Sequence, residues 1–434
     1  MSTRKQLISG LVNKLVNNEI IDQANQKAVE RIQNSTPILV DIKPAIDVIP
    51  GMKKNLLLCA GPPINWNQMC EPVKAAILGA IVYEDLAGNL KDAEQMVSRE
   101  EVSFSSTHSH NAVAPMAGVI SASMPVFVVK NEYYGNYAYS NMNEGVGQVK
   151  TLRFGANNED VINRLKWMRD ELRPLLREVV IESKGIDLKE IIAAAIRRGD
   201  ECHNRNRCAT DIFFQKSAIS LLKSGFSKEQ ILPVLEFMLA NPHFFLNMSM
   251  ASSKVTMNAA QGIEYSTVVT VMSTNGVQFG VRISGLGDEW FSAPAPNQDQ
   301  GKLFKGYVSQ DANPVFGDSY ISEPAGIGAF AMAASPAIAE FTGGTPEYGI
   351  EITNQMYKIT IARHNTYRIP YLNYAGTPTG IDFRKVLDLN ILPIVNTGLA
   401  HKKAGIGQIG AGTAHAPRLC FEKAAAAFDK KYQP

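Results

Sequence analysis

Between residues 158 and 262 the chain reads as consecutive helices with legible ends, while the segments on either side read as short strands mixed with helices. That order constrains the fold to an α+β / α/β multi-domain arrangement. Asp187 and Glu190 have the spacing of a capping box, and Gly199 is placed to end the helix they open. Ser227 and Gln230 repeat the box, and Asn241-Pro242 offers a cap followed by a first-turn proline. About five helices are expected in this stretch.

Upstream, residues 37–49 and 55–60 are apolar, β-branched runs separated by Pro50-Gly51, and 70–84 carries a helical pattern. Strand, Ala-Gly-Pro-Pro turn and helix thus follow one another as in an α/β unit. Residues 101–104 and 124–130 add strand candidates. Beyond Glu264, two β-rich runs flank Asn275-Gly276, a strong hairpin signal. Further strands are expected at 357–362 and 391–396, and a closing helix at 417–428. A chain of 434 residues exceeds what one core normally serves. The expected organisation is an N-terminal mixed α/β domain with a leading helix over 1–157, a helical domain over 158–262 and a C-terminal mixed α/β domain over 263–434.

The balance of charge narrows the partners. Charged residues make up 19% of the chain and the net charge is +2, which gives no electrostatic reason to expect nucleic acid or a membrane surface. Cys59, Cys70, Cys202, Cys208 and Cys420 are scattered, odd in number and form no CxxC pair, so a reduced, cytoplasmic chain is expected. Leu7, Ile8, Leu11, Val12, Leu15 and Val16 recur at helical spacing between polar residues, the pattern of an amphipathic helix rather than a signal peptide. The apolar runs at 112–129 and 325–341 are interrupted by proline and glycine, so no membrane segment is expected.

The densest chemistry lies at 200–207, Asp-Glu-Cys-His-Asn-Arg-Asn-Arg. Apolar periodicity resumes near Ala209, so the cluster is expected in a turn and the first turns of a helix, with His203 and Arg207 four apart on one face. Unpaired N–H groups at such a helix start, with Arg205 and Arg207, favour an anion. The plain alternative is a solvated helix start with an internal Arg–Asp pair. Cys, His and the amides Asn204 and Asn206 in place of Lys and Glu favour a site. His203, with Glu201 beside it, is the candidate proton carrier.

Three other segments are candidates. His243, Asn247, Lys254, Asn258 and Gln261 form one polar, nearly uncharged stripe on the next helix, suited to facing the 200–207 cluster or another domain across a cleft, or to an ordinary exposed or interdomain face. His108, His110 and Asn111 lie in Thr-His-Ser-His-Asn. A His-x-His pair can act as acid and base, with His110 the candidate catalytic member, or ligate zinc. With no accompanying carboxylate or cysteine cluster, no metal is expected, and His108 and Asn111 are read as ligand-binding. Gly405-Ile-Gly407-Gln-Ile-Gly410 matches GxGxxG, yet the chain ends too soon after it for a dinucleotide unit. A modest anion cradle at a helix start is expected instead, without a cofactor. No P-loop, Gly-x-Ser-x-Gly or His-Glu-x-x-His is present.

Several blocks together resemble one bacterial family. They include CAGPPINWNQMCEPVKAAILGA from Cys59, THSHNAVAPMAGVISASMPVFVV from Thr107, NMNEGVGQVKTLRFGA from Asn141, GDECHNRN from Gly199 and NPHFFLNMSM from Asn241. GVRISGLGDEWFSAPAP from Gly280, GTPTGIDFRKV from Gly376 and NTGLAHKKAGIGQIGAG from Asn396 continue the series. The chain so resembles the YlbE/YahG-like family over about residues 37–428. The resemblance implies association with FdrA-like proteins and with oxamate carbamoyltransferase of purine and allantoin catabolism, in which carbamoyl phosphate and oxamate interconvert with oxalurate and phosphate. It implies an FdrA-like partner subunit and a small anionic or amide substrate such as carbamoyl phosphate. A homo-oligomer is also expected. The resemblance carries no catalytic residues with it. Two other readings stand beside a catalytic subunit: a noncatalytic scaffold or regulatory subunit, and a metal-dependent amidohydrolase using His108, His110 and His203.

Overall fold

The structure, a computed structural model, describes residues 2–145 and 149–432, with residues 2–17 described by their backbone alone. The leading helix α1 spans Ser2–Asn34, and the side chains of its apolar face from Leu7 to Val16 lie outside the described residues. Among the described residues no helix is long and apolar enough to cross a membrane.

The strand–turn–helix unit forms as its residues dictate. Strand β1 (Pro37–Pro44) is followed by β2 (Leu56–Cys59), helix α2 (Glu71–Tyr83) and β3 (Ser103–Ser106). β2 and β3 are parallel, with Leu56 opposite Ser103 and Cys59 opposite Ser106. Parallel neighbours need a long crossover, supplied by α2 and the helix Leu90–Ser98. A second sheet places β1 antiparallel to β4 (Pro125–Asn131), and β4 antiparallel to β5 (Tyr137–Asn141). Short strands at Ala112–Val113 and Ile186–Asp187 close its edges.

The helical stretch contains Glu159–Trp167, Arg173–Glu182, α3 (Leu188–Ile196), α4 (Arg207–Lys223), α5 (Lys228–Ala240) and α6 (Leu246–Ala259), one more than about five. The first two are joined by a π-helical turn over Met168–Leu172, next to Pro174, which has no N–H to donate. Asp187 Oδ1 caps Glu190 N, and the Ser227–Gln230 box is formed. After Asn241, however, the four residues Pro242 to Phe245 make turns first, and α6 begins only at Leu246.

Helix α6 departs most from expectation. Its side chains are buried nearly all round, with Asn258 partly exposed, so the polar stripe does not line an open cleft. Small residues let the helix pass through the interior: Ser249, Ala251, Ser252 and Ser253 alternate with Met248, Met250, Val255 and Met257. Each fully buried Met or Val side chain contributes roughly 1.5–3 kcal/mol. One side of α6 joins a cluster shared by the N-terminal sheet and the helices, with Leu39, Phe127, Leu176, Phe213, Phe244 and Val255. Another side joins Ile32, Met250, Met257 and Ile321.

In the C-terminal part, β6 (Val269–Asn275) and β7 (Gln278–Ile283) form the hairpin read at Asn275-Gly276. Gly276 takes φ +84°, and Asn275 Oδ1 accepts from Val277 N and Gln278 N. The run at 357–362 is only half strand. Thr345 caps α7 (Pro346–Ile359), whose apolar face carries the helix to Ile359 before the strand Thr360–Ile369 begins. β8 (Ile394–Ala400) pairs antiparallel with β9 (Gln408–His415), and α8 (Arg418–Tyr432) closes the chain. These elements bury Met272, Phe279, Phe330, Met356 and Phe421 in a further core. The molecule is a multi-domain α+β fold with mixed and antiparallel sheets.

Candidate functional site

Residues 200–206 form a largely buried loop before α4, which begins only at Arg207, so His203 and Arg207 share no helical face. Its own carboxylates dictate this. Glu201 accepts from His203 N at 2.5 Å and Arg205 N at 2.6 Å, and Asp200 accepts from Ala209 N at 3.0 Å. Cys202 takes φ +60°, Asn206 Nδ2 donates to His203 O, and Ser249 Oγ of α6 donates to Cys202 O. Burial pushes the Glu201 carboxyl up to about 8, opposed by His203 and the two backbone N–H groups. Backbone amides favour local turns when a short polar chain satisfies them, and here that competition defeats the helix.

The loop delivers His203 and Asn204 to the wall of a small cavity. Pro115, Met116, Arg153 and Phe154 reach it from the N-terminal part, His243 from the turn before α6 and Leu246 from its first residue. Ser319, Thr397, Gly398 and Gln408 complete it from the C-terminal part. Segments distant in sequence thus meet at one small volume.

His203 Nδ1 bonds Glu323 Oε1 at 2.9 Å, and both side chains are buried. Burial alone would lower the imidazole pKa, but the Glu323 charge and hydrogen bond outweigh it and raise the value. Glu323 Oε1 also accepts from Ala329 N at 3.2 Å. Gly328, at φ +64°, packs so closely that an added Cβ would strike Glu323 Oε1 and lie 3.1 Å from His203 Nδ1. Tyr320 meets the His203 ring edge-on and donates to Thr397 Oγ1 at 2.6 Å.

Arg153 is buried, and burial lowers its guanidinium to about 10 against the pull of Glu144, which leaves it charged at neutral pH. It donates to Gly145 O at 2.7 Å, while its Nε has no partner among the described residues. Arg153 and Glu144 also line a neighbouring, small and mostly apolar cavity with Tyr83, Met142 and Met168. Asn204 Nδ2 is likewise buried and unpartnered. Burial and the charges of Arg153, His203 and Arg205 push His243 down to about 3, so it is a neutral imidazole. A fixed cation, spare N–H donors, a neutral imidazole and a carboxylate-backed imidazole suit a small ligand that is both anionic and an amide.

The other sequence candidates lie elsewhere. Glu201 turns to its own backbone, and Arg205 Nε lies 2.9 Å from Asp200 Oδ1. Asn206 holds the loop, and Arg207 is exposed at the first residue of α4. Asn247 Nδ2 donates to Asn141 O at 2.6 Å and so ties α6 to β5. Asn111 Oδ1 accepts from Asn258 Nδ2. His110 is held between Pro50 O and Ser105 Oγ. His108 bonds Asp318 Oδ1 at 3.1 Å in a buried cluster that includes Lys254. His108, His110 and His203 therefore have separate partners, and among the described residues no three His, Cys, Asp or Glu side chains are grouped to hold a metal ion.

The glycine-rich turn also differs from expectation. Gly405 N donates to Phe154 O, Gly407 O accepts from His401 N, and Gly410 lies within β9 rather than before a helix. The segment's contribution to the cavity is Gln408, whose Nε2 donates to Gly410 O at 2.9 Å. Arg153, Glu323, Ser319, Thr397 and Gln408 were not identified from sequence. Glu323 carried a signal: an isolated acid in a Gly-, Ala- and Pro-rich run is costly to bury unless it is paired.

Comparison with known proteins places this geometry in a family. Residues 102–319 match the family model for oxamate carbamoyltransferase subunit AllG. The uncharacterized protein YahG of Escherichia coli (strain K12) is 46% identical over 95% of this chain and 87% of its own length. The oxamate carbamoyltransferase subunit AllG of the same organism is 42% identical over 93% of this chain and 96% of its own. A crystal structure of a conserved protein of unknown function from Enterococcus faecalis V583 superposes with a TM-score of 0.93 at 43% identity, over 95% of this chain and 99% of that one. The matched span contains the 200–207 loop, Arg153, His243 and Ser319, and the chain belongs to the AllG family, which its sequence blocks resemble.

Proposed function

We propose that this chain is a catalytic subunit of a carbamoyltransferase and that its cavity holds a small anionic amide of the oxamate type. The observation that supports this most directly is the convergence on one cavity of charged Arg153, unpartnered Asn204 Nδ2 and the His203–Glu323 pair. In this reading Arg153 binds the carboxylate of oxamate, and Asn204 and Gln408 orient its amide. His203, with Nδ1 donating to Glu323, uses Nε2 to take a proton from the amide nitrogen as that nitrogen attacks the carbonyl of carbamoyl phosphate. A new N–C bond forms, the C–O bond to phosphate breaks, and phosphate leaves. In reverse, the same imidazolium returns the proton.

An FdrA-like protein is the expected partner, and the name of the Escherichia coli relative, a carbamoyltransferase subunit, supports such an assembly. The test is carbamoyl transfer between carbamoyl phosphate and oxamate by the reconstituted pair, with His203→Ala and Arg153→Met. Transfer is expected to fall by about 10²- to 10⁴-fold on loss of the base. Wild-type rates in both variants would assign the chain a noncatalytic role.

A further inference from the structure

Away from the cavity at His203, a cleft opens at the carboxyl ends of the parallel strands β2 and β3, where open α/β sheets commonly bind ligands. It is roomier than that cavity, and Ile64, Asn65, Gln68, Met69, Phe104 and Ser105 are among its walls. Among the described residues none of its lining side chains is charged. Phe104 stacks on Trp66 with ring centroids 6.0 Å apart, which fixes part of the apolar wall.

Ser105 sits opposite Leu58 near the end of β3. After Ser106 the chain makes a 3-10 turn over Thr107–His110, which returns His110 Nε2 to 2.9 Å from Ser105 Oγ. His110 Nδ1 lies 2.7 Å from Pro50 O. A carbonyl oxygen can only accept, so Nδ1 carries the proton, and in the neutral ring Nε2 is left to accept from the Ser105 hydroxyl. A hydroxyl bonded to an imidazole that a third group orients is the arrangement that activates a serine. The turn is pinned, as a preorganised base requires: Thr107 Oγ1 donates to Asp318 Oδ2 at 2.6 Å, His108 bonds the same carboxylate, and Asn111 N donates to Thr107 O. The neighbouring nucleophiles are disabled. Ser106 Oγ donates to Gly61 O at 2.6 Å, and burial pushes the Cys59 thiol up to about 12.

We propose that Ser105, with His110 as its base, is a nucleophile that opens uncharged carboxylic esters in this cleft through an acyl-serine. Ser105 Oγ attacks the ester carbonyl carbon while its proton passes to His110 Nε2. The C–O bond to the leaving alcohol breaks, and the imidazolium returns that proton to the alcohol oxygen. Water, deprotonated in turn by Nε2, then attacks the acyl carbon, releasing the acid and restoring the serine. The side-chain amides of Asn65 and Gln68 supply N–H donors for the oxyanion. The lining offers no counter-ion to a phosphate or carboxylate, so a neutral acyl donor is the class that fits. The reaction needs neither His203 nor the cavity around it.

The test is rapid-quench reaction of the full-length protein with p-nitrophenyl acetate, following nitrophenolate release and locating acetyl by peptide mass spectrometry after acid quench. A burst of nitrophenolate is expected, with acetyl on Ser105. Phenylmethanesulfonyl fluoride is expected to label the same residue and abolish the burst. Ser105→Ala should remove both signals, His110→Gln should slow acylation by about 10²-fold or more, and His203→Ala should change neither. Because Ser105→Ala can weaken the fold, Ser105→Cys is measured beside it and is expected to accept acetyl at the same position. Wild-type protein that carries no acetyl on Ser105, or Ser105 acetylated as fast in His110→Gln as in wild type, would overturn the proposal.

Discussion

His203 Nδ1 and Glu323 Oε1, 120 positions apart in sequence, meet at 2.9 Å with both side chains buried. The pair couples the basicity of the imidazole to one carboxylate. Glu323→Gln keeps the shape but removes the charge that raises His203. The transfer rate is expected to fall by about 10²-fold or more, with the basic requirement in the pH–rate profile moving to lower pH. The sign for stability follows from the raised value. The pair stabilises the fold fully below the ordinary histidine value of 6.5, and this contribution is lost as pH rises through the higher folded value. Urea unfolding of both proteins between neutral and alkaline pH checks this. Equal slopes would mean that Glu323 does not set the imidazole's charge.

Gly328 offers a test that touches neither member of the pair. At φ +64° a side chain strains the backbone by roughly 1–2 kcal/mol, and its Cβ would push into Glu323 and against His203 Nδ1. Gly328→Ala is expected to lower the melting temperature modestly and to cost activity nearly as much as His203→Ala. An alanine variant with full activity would show that the pair tolerates displacement.

These two residues also show what was legible in the sequence. Caps and turns are local, so Asp187, Ser227 and the Asn275-Gly276 hairpin could be read directly. The loop at 200–207 stood out by composition, and two of its members, His203 and Asn204, do reach the cavity. Which ones reach it was not legible, because Glu201 and Asp200 spend their oxygens on neighbouring backbone N–H groups, a choice made by folding rather than spacing. The α6 stripe misled for a related reason. Lys254 and Asn247 read as members of one polar face turned toward a cleft, yet each finds polar surroundings in a different part of the interior. Glu323 and Arg153 are single charges in apolar contexts, and only the tertiary fold pairs them with distant segments.

Acid stability is expected to report on His108. Burial lowers it to about 4 from 6.5, against the pull of Asp318. Between those values the unfolded chain binds a proton that the folded chain does not, so stability falls as pH drops from 6.5 toward 4, by about 3 kcal/mol at most. In His108→Asn this part of the slope is expected to disappear from chemical denaturation measured across that range. A slope unchanged by the substitution would mean that other groups govern acid unfolding.

Asp318 is expected to matter more for folding than any residue of the cavity. Its two oxygens accept from five donors on four segments, joining β6 to the turns after β2 and β3. Removing it leaves buried donors unpaired, a loss of about 3–5 kcal/mol. Asp318→Ala is expected to express poorly or melt far below wild type, with Asp318→Asn intermediate. Near-native unfolding midpoints in both would contradict this role.

Arg153 separates binding from proton transfer. Its guanidinium stays charged in the cavity and its Nε has no partner among the described residues, so a bound carboxylate gains a charge-assisted hydrogen bond. Such a bond is worth about 1.5–3 kcal/mol, or roughly 10- to 150-fold in affinity. Arg153→Met should therefore weaken calorimetric binding of oxamate by that factor, and Arg153→Lys should recover only part of it, since an ammonium cannot reproduce the planar fork. Oxalamide, which has an amide in place of the carboxylate, should bind wild type weakly and be nearly indifferent to the substitution. His203→Ala, by contrast, should leave oxamate affinity nearly unchanged while removing turnover. If Arg153→Met instead bound oxamate as tightly as wild type, the carboxylate would have to sit elsewhere in the cavity, against polar wall residues such as His243, Ser319, Thr397 or Gln408.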